Sequence, residues 1–131
     1  MSAPLNGQTV LITGSQGFIG IHTARAAHRM GAQVVGADVV AESERADRVR
    51  ESLGCPPVQT RAVDLRDAQA SGQLLLDVKP AFVIHCAGSI ERSNGDADWT
   101  RVFEGNAALT ASVVSALVAL TSAERPVLVM P

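Results

Sequence analysis

Three glycines recur at three-residue intervals in Gly14-Ser15-Gln16-Gly17-Phe18-Ile19-Gly20, directly after the apolar run Val10-Leu11-Ile12. The segment opens where a buried strand would stop and closes inside the first turn of a stretch with helical periodicity. A glycine turn in that context suits a phosphate group. Gly14 permits the tight turn, Gly17 lets the backbone approach a pyrophosphate, and Gly20 lets the following helix pack closely on the strand. The whole stretch, with Ser15, Gln16, Phe18 and Ile19, is therefore a candidate cofactor-binding segment. Its helix N-terminus offers unpaired N–H groups and the positive end of the helix dipole. Asp38 supplies the second group, at the end of the next apolar run, Gln33 to Ala37. A carboxylate there can accept hydrogen bonds from both hydroxyls of an adenosine ribose, and it repels a 2′-phosphate. No arginine occurs from Ala37 through Ser43, so NAD is expected over NADP, with Arg45 the nearby cation able to swing in.

Other chemistry is sparsely represented. His22, His28 and His85 have no metal-ligand spacing and no carboxylate placed to join them, so no metal site is expected. His22 and His28 read as helix-surface residues, His85 as a residue that fixes the loop after the fourth strand, and Trp99 as a packing anchor. Cys55 and Cys86 lie far apart without a C-x-x-C pattern and read as buried or incidental thiols. The net charge is −2 and the basic residues, ten arginines and Lys79, form no dense run, which argues against nucleic acid as a partner. An apolar content of 47% excludes intrinsic disorder. The longest mostly apolar stretch, Ala111 to Leu120, is interrupted by Ser112 and Ser115 and falls far short of the ~20 residues that cross a bilayer. No signal peptide is readable at Met1-Ser2-Ala3-Pro4, so the expected setting is cytoplasmic and without a membrane partner.

Five apolar runs alternate with helical periodicity to position these groups. After Val10–Ile12, the spacing predicts a helix from Phe18 to Met30, with Gly31 following as a cap. A strand over Gln33–Ala37 precedes a charged helix over Glu44–Leu53, in which Ala46, Val49 and Leu53 face inward and Glu44 pairs with Arg48. Val58–Val63 reads as the third strand, Asp67–Val78 as the third helix, and Ala81–His85 as the fourth strand. A polar loop from Ser89 to Ala97 leads into a long helix capped by Asp96 or Asp98. Its inward stripe comprises Val102, Asn106, Leu109, Val113, Ala116 or Leu117, and Leu120. Val127–Met130 is the fifth strand. Strict alternation of strand and helix predicts an α/β, three-layer αβα domain over residues 1–131, a Rossmann-type doubly wound parallel sheet in the order 3-2-1-4-5.

Taken together, these residues resemble the short-chain dehydrogenase/reductase superfamily, and within it the extended branch of NAD-dependent epimerases and dehydratases. Thr13-Gly14-Ser15-Gln16-Gly17-Phe18-Ile19-Gly20 is similar to that branch's T-G-x-x-G-F-I-G. Asp64-Leu65-Arg66-Asp67 resembles its D-[LV]-x-D, which implies that Asp64 meets the adenine amino group with Leu65 beside the ring. Lys79-Pro80 and His85-Cys86-Ala87-Gly88 resemble the K-P-x-x-V-[IV]-H-x-A-[AG] element, which implies that Cys86, Ala87 and Gly88 pass under the cofactor. Asn106 interrupts an apolar stripe, and the resemblance implies that it supports the hydrogen-bond network of the active site.

The resemblance stops at one side of the chemistry. Family enzymes take a proton with a tyrosine whose pKa is lowered by a lysine four residues later. This sequence has no tyrosine, and its single lysine precedes the fourth strand, so no Tyr-x-x-x-Lys pair is present. The implied function is the NAD-binding portion of an epimerase, dehydratase or reductase acting on a nucleotide sugar or a related hydroxyl or keto substrate. Two other readings are open: a non-catalytic dinucleotide-binding or sensing module, and an interaction protein that kept the fold. The fifth strand, an edge without a protecting charge, is expected to be covered by a missing C-terminal region or by a second copy in a homodimer.

Overall fold

Leu11 turns to one face of the sheet, Val10 and Ile12 turn to the other, and none of the three is more than 1% exposed in the computed structural model. The strand Thr9–Thr13 (β1) must therefore be covered on both sides, as its unbroken apolar run requires. The structure describes residues 2–89 and 98–131. Gln33–Asp38 (β2) and Phe82–His85 (β4) flank β1, both parallel to it, with Thr13 in register with Ala37 on one side and His85 on the other. Gln59–Ala62 (β3) and Val127–Val129 (β5) complete the sheet in the order β3-β2-β1-β4-β5, all parallel. The expected strand order holds, and β3, β4 and β5 are shorter than the apolar runs, since Val58, Val63, Ala81 and Met130 fall outside the ladder.

Parallel neighbours need crossovers, and helices supply them. They are Phe18–Arg29 (α1), Glu44–Ser52 (α2), Ala68–Val78 (α3), Trp99–Phe103 (α4) and Leu109–Ala119 (α5). On one face, Leu11, Ala37 and Val83 pack with Leu74 and Leu75 of α3 and with Val113, Ala116 and Leu117 of α5. On the other, Val10 and Ile12 pack with Ala24 and Ala27, whose small side chains let α1 lie close to the strands. These two apolar layers enclose the sheet and give the three-layer arrangement.

Several local expectations change. The long helix is not uniformly α-helical: Glu104–Ala108 forms a π-helical turn between α4 and α5, at the point where Asn106 turns inward. Asp98 caps α4 through the N–H groups of Thr100 and Arg101, while Asp96 and most of the Ser89–Ala97 loop lie outside the described residues. Because the turn joins the two helices, Trp99–Ala119 runs for 21 residues and contains a window of mean hydropathy 1.5, long and apolar enough by composition to cross a bilayer. That is longer than the Ala111–Leu120 stretch suggested, although Val113, Ala116 and Leu117 of this helix pack in the core. Trp99 is not a packing anchor: it is 75% exposed on the first turn of α4, directed away from the core. His22 and His28 are both half-buried rather than on the surface; His28 has an unpartnered Nε2, and the His22 ring tilts against Phe18. On α2, Ala46 is buried as expected and Glu44 meets Arg48 at 4.0 Å, but Arg50 is also buried.

His85 ties three elements together. Its Nδ1 lies 2.7 Å from Thr13 Oγ1 on β1 and its Nε2 lies 3.1 Å from Thr110 Oγ1 on α5. Thr13 Oγ1 also accepts the Ala87 N–H at 3.1 Å, which fixes the start of the loop after β4, as expected of this histidine. A neutral imidazole offers one donor and one acceptor, matching two hydroxyl partners. Burial pushes the pKa of His85 down, and that of His28 as well.

Three expectations can be tested on stability. Gly72 on α3 faces open space, so Gly72→Ala should stabilise the fold by about 0.5–1 kcal/mol through lower chain entropy. A Cβ on Gly20 instead runs into the Gly14 carbonyl, and Gly20→Ala should cost at least about 2 kcal/mol in urea unfolding. For the histidines, the unfolded chain binds protons near pH 6.5 while the folded chain resists them until lower pH. Their contribution to stability is therefore complete above about pH 6.5 and is lost as the pH falls from there through the folded pKa values. Melting temperatures measured from pH 7.5 to 5 should decline below 6.5, and His85→Gln should have a lower but flatter profile.

Candidate functional site

The carboxyl ends of β1 to β4 open into one cleft of about 740 Å³. Gly14, Gln16 and Gly17 form one wall, Asp38 a second, Asp64 and Leu65 a third, and Cys86, Ala87 and Gly88 a fourth. The remaining candidates stand around this cleft rather than in its wall. Ser15 is fully buried below the turn, with Oγ 3.2 Å from Thr60 Oγ1. Gly20 is buried against Gly14. Phe18 and Ile19 begin α1 and are exposed.

Backbone packing makes the turn. Gly14 has φ +68°, and a Cβ on it would stand 2.8 Å from the Ala87 backbone, so both its conformation and the close passage of the loop after β4 exclude a side chain. Its N–H donates to Ala37 O at 2.8 Å, and its carbonyl accepts from Gly17 N at 3.0 Å. Gly17 has ordinary extended φ and ψ, and a Cβ there would meet only Gly14 O, at 3.2 Å. Gly17 also sits at the N-cap of α1, where no side chain caps the helix and no acidic residue stands in the first turn. By contrast, α2, α3 and α4 are capped by Ser43, Asp67 and Asp98. The first N–H groups of α1 are thus left to another acceptor.

Two carboxylates enter the cleft already oriented. Asp38 Oδ2 accepts the Gln16 N–H at 2.9 Å and Oδ1 accepts the Val39 N–H at 2.8 Å. Asp64 is gripped by Arg66: Oδ1 accepts from the Arg66 N–H and Nε, both at 3.0 Å, and Oδ2 accepts from Nη2 at 2.8 Å. These bonds hold the Asp64 carboxyl below the usual aspartate range. Arg66 is in turn docked on α5, its carbonyl accepting from Ser112 Oγ at 3.1 Å.

The fourth wall is set from α4 and the π turn. Asn106 Nδ2 donates to Ser89 O at 3.0 Å and to Val102 O at 2.9 Å, while Oδ1 accepts the Ser89 N–H at 3.3 Å. A Cβ on Gly88 would approach Asn106 Oδ1 to 2.8 Å, and one on Gly105 would run into Ser89 Oγ. Loop and helix interlock, which leaves Gly88 as bare backbone at the cleft. Cys86 is a neutral thiol, its pKa pushed up by burial, with Sγ 3.8 Å from Thr23 Oγ1. Lys79 ends α3 before β4, at the sheet edge opposite the cleft. Among the described residues no three His, Cys, Asp or Glu side chains gather as a metal site. The cleft can hold and orient an anionic, hydroxylated ligand.

Two contributors, Arg66 and Arg50, are not singled out by the motifs, whereas Arg45 is already expected from the sequence as the nearby cation. Arg45 lines the cleft beside Asp38. The Arg66 grip has a signal in the Asp-x-Arg spacing. Arg50 has one too, because four residues after Ala46 it falls within about 40° of it on the inward side of α2.

Comparison with known proteins gives a consistent family. The family model for the NAD dependent epimerase/dehydratase family matches residues 10–129. UDP-glucose 4-epimerase 1 of Oryza sativa subsp. japonica is 38% identical over 85 residues, covering 62% of this chain and 24% of that protein. UDP-glucose 4-epimerase of Rhizobium leguminosarum bv. trifolii is 30% identical over 110 residues, covering 84% and 32% respectively. The crystal structure of UDP-glucose 4-epimerase from Bifidobacterium longum, in complex with NAD+ and UDP, matches with a TM-score of 0.70 at 28% identity, over 84% of this chain and 33% of that one. The chain spans about a quarter to a third of the length of these relatives. From the glycine turn at the end of β1 to the apolar strand β5, the chain belongs to the NAD dependent epimerase/dehydratase family.

Proposed function

We propose that this chain is the NAD-binding portion of an epimerase, dehydratase or reductase that acts on a nucleotide sugar or a related hydroxyl or keto substrate, in a cytoplasmic setting. One observation carries the reading: an uncapped helix N-terminus and the backbone-oriented carboxylate of Asp38 face the same cleft. The turn from Gly14 to Gly17 and the first N–H groups of α1, at Phe18 and Ile19, hold the pyrophosphate. Asp38 keeps a free lone pair on each oxygen for the adenosine ribose hydroxyls. Asp64 reads the adenine amino group with Leu65 against the ring, and Cys86, Ala87 and Gly88 pass beneath the dinucleotide.

When bound, NAD supplies a hydride acceptor and donor. The residues of this chain fix where that group sits. Asn106 holds Ser89 and Gly88 in place beside it. With no tyrosine in the sequence, these residues position the cofactor and do not form the family's Tyr-x-x-x-Lys acid–base pair. A carboxylate at Asp38 disfavours the 2′-phosphate of NADP, and Arg45 is the cation that would offset it. The half-exposed edge at β5, with Val127 and Val129 uncovered, fits a further C-terminal region or a second copy of the chain.

Calorimetric titration of the 131-residue chain with NAD tests the reading. Wild-type protein should bind, and at a hundredfold excess over Kd the ligand should add about 2.7 kcal/mol of stability. Asp38→Ala should weaken binding roughly 10- to 100-fold through loss of charge-assisted hydrogen bonds. Gly17→Val should fold, because the backbone there is unstrained, and should bind no NAD because the branched side chain occupies the pyrophosphate path. Unchanged affinity in both variants places the site elsewhere.

A further inference from the structure

Arg50 is 6% exposed, yet the packing of α2 does not call for a charge at that position. Nη1 donates to Asp47 Oδ1 at 3.0 Å, an ion pair whose carboxylate is 63% exposed and therefore well screened. Nη2 is used differently. It donates to Ser15 O at 3.0 Å and to Gln16 Oε1 at 2.8 Å, both in the glycine turn. Gln16 extends the connection, since its Nε2 donates to Ala41 O at 2.8 Å and its backbone N–H donates to Asp38 Oδ2 at 2.9 Å. Arg50 Nε is buried without a partner. A buried guanidinium that is incompletely satisfied costs stability relative to an apolar residue of similar volume. What it supplies in return is geometric: a fork that pins the Ser15–Gln16 peptide from below while Gln16 spans to the segment after β2.

We propose that Arg50 is a positioning residue that acts through Gln16 on Asp38, holding the ribose-reading carboxylate in place and so setting how strongly the cleft discriminates against a 2′-phosphorylated ribose. This rests on the NAD-binding reading of the cleft. With the fork removed, the Gln16 side chain loses its anchor and the Ser15–Gln16 peptide is released from one side. Its N–H then no longer fixes one Asp38 oxygen, and the carboxylate can rotate away from the ribose. NAD loses a fixed acceptor pair, whereas NADP is relieved of a fixed repulsive charge. The two dinucleotides therefore respond unequally, which a general loosening of the fold does not produce.

The test is the ratio of Kd for NADP to Kd for NAD, measured on the whole 131-residue chain for wild type, Arg50→Met and Gln16→Met. Gln16→Met leaves Arg50 its contacts with Ser15 O and Asp47, so it decides the matter if Arg50→Met fails to fold. Arg48→Ala, which removes only an exposed pair with Glu44, is the control. In both test variants the ratio should fall roughly tenfold, with Arg50→Lys between them and wild type. In an Asp38→Asn background, adding Arg50→Met should leave the ratio unmoved. A wild-type chain that binds NAD but gives the same ratio as the variants, or a ratio of one, overturns the role of Arg50 and leaves the cofactor reading intact. A parallel loss for both ligands does the same, because it marks a structural role only. A wild-type chain that binds neither dinucleotide overturns the cofactor reading and this inference with it.

Discussion

At the end of β1 three pieces of backbone come within contact distance without a side chain between them. The Gly14 turn touches the Cys86–Ala87 backbone on one side, and Gly20 of α1 lies against the Gly14 carbonyl on the other. Every feature of the cleft depends on that approach. It brings the N-terminus of α1 to the sheet edge, and it lets the loop after β4 cross directly over the turn. It also leaves Gly14 O free to accept from Gly17, which sets the pitch at which the helix starts. The burial of β1 supplies the rigid floor on which the contact is made, since a strand covered on both faces has no direction in which to yield.

Around that point the polar groups are arranged by mutual restraint rather than by burial in apolar surroundings. Asp38 is held by two backbone N–H groups, Asp64 by a forked arginine, and Asn106 by the backbone N–H and carbonyl of Ser89. His85, a buried ionisable side chain bonded directly to the last residue of β1, joins Thr13 to Thr110 and thereby strand to helix. Such groups enter a binding event with little side-chain freedom left to lose, which favours tight orientation of a ligand over adaptability.

Much of this is legible in the residues because it is written in local patterns. A strand buried on both faces must be continuously apolar, and a glycine where a helix meets a strand has few other uses, so the strand order, the turn and Asp38 can be read directly. What escapes depends on tertiary geometry. The inward placement of Arg50 is consistent with the period of α2, but its charge argues for solvent, and the glycine turn that accepts from it lies far away in sequence. The π turn at Glu104–Ala108 leaves no compositional mark, and it falls where Gly105 fits closely against Ser89. Trp99 departs from expectation because aromatic size suggests burial, whereas the face of the first turn it occupies decides the matter.

The helix that carries Asn106 is secured at both ends. Asp98 accepts from its first N–H groups, and Arg125 closes its last turn by donating to the carbonyls of Leu117, Val118 and Leu120. A negative charge at the start and a positive one at the finish also complement its dipole. Because Gly88 and Gly105 leave no slack against Asn106 and Ser89, this element works as a clamped strut bearing on the cleft. With both ends fixed and no slack beside Gly88 and Gly105, a larger side chain at either glycine cannot be accommodated by sliding this helix along its axis.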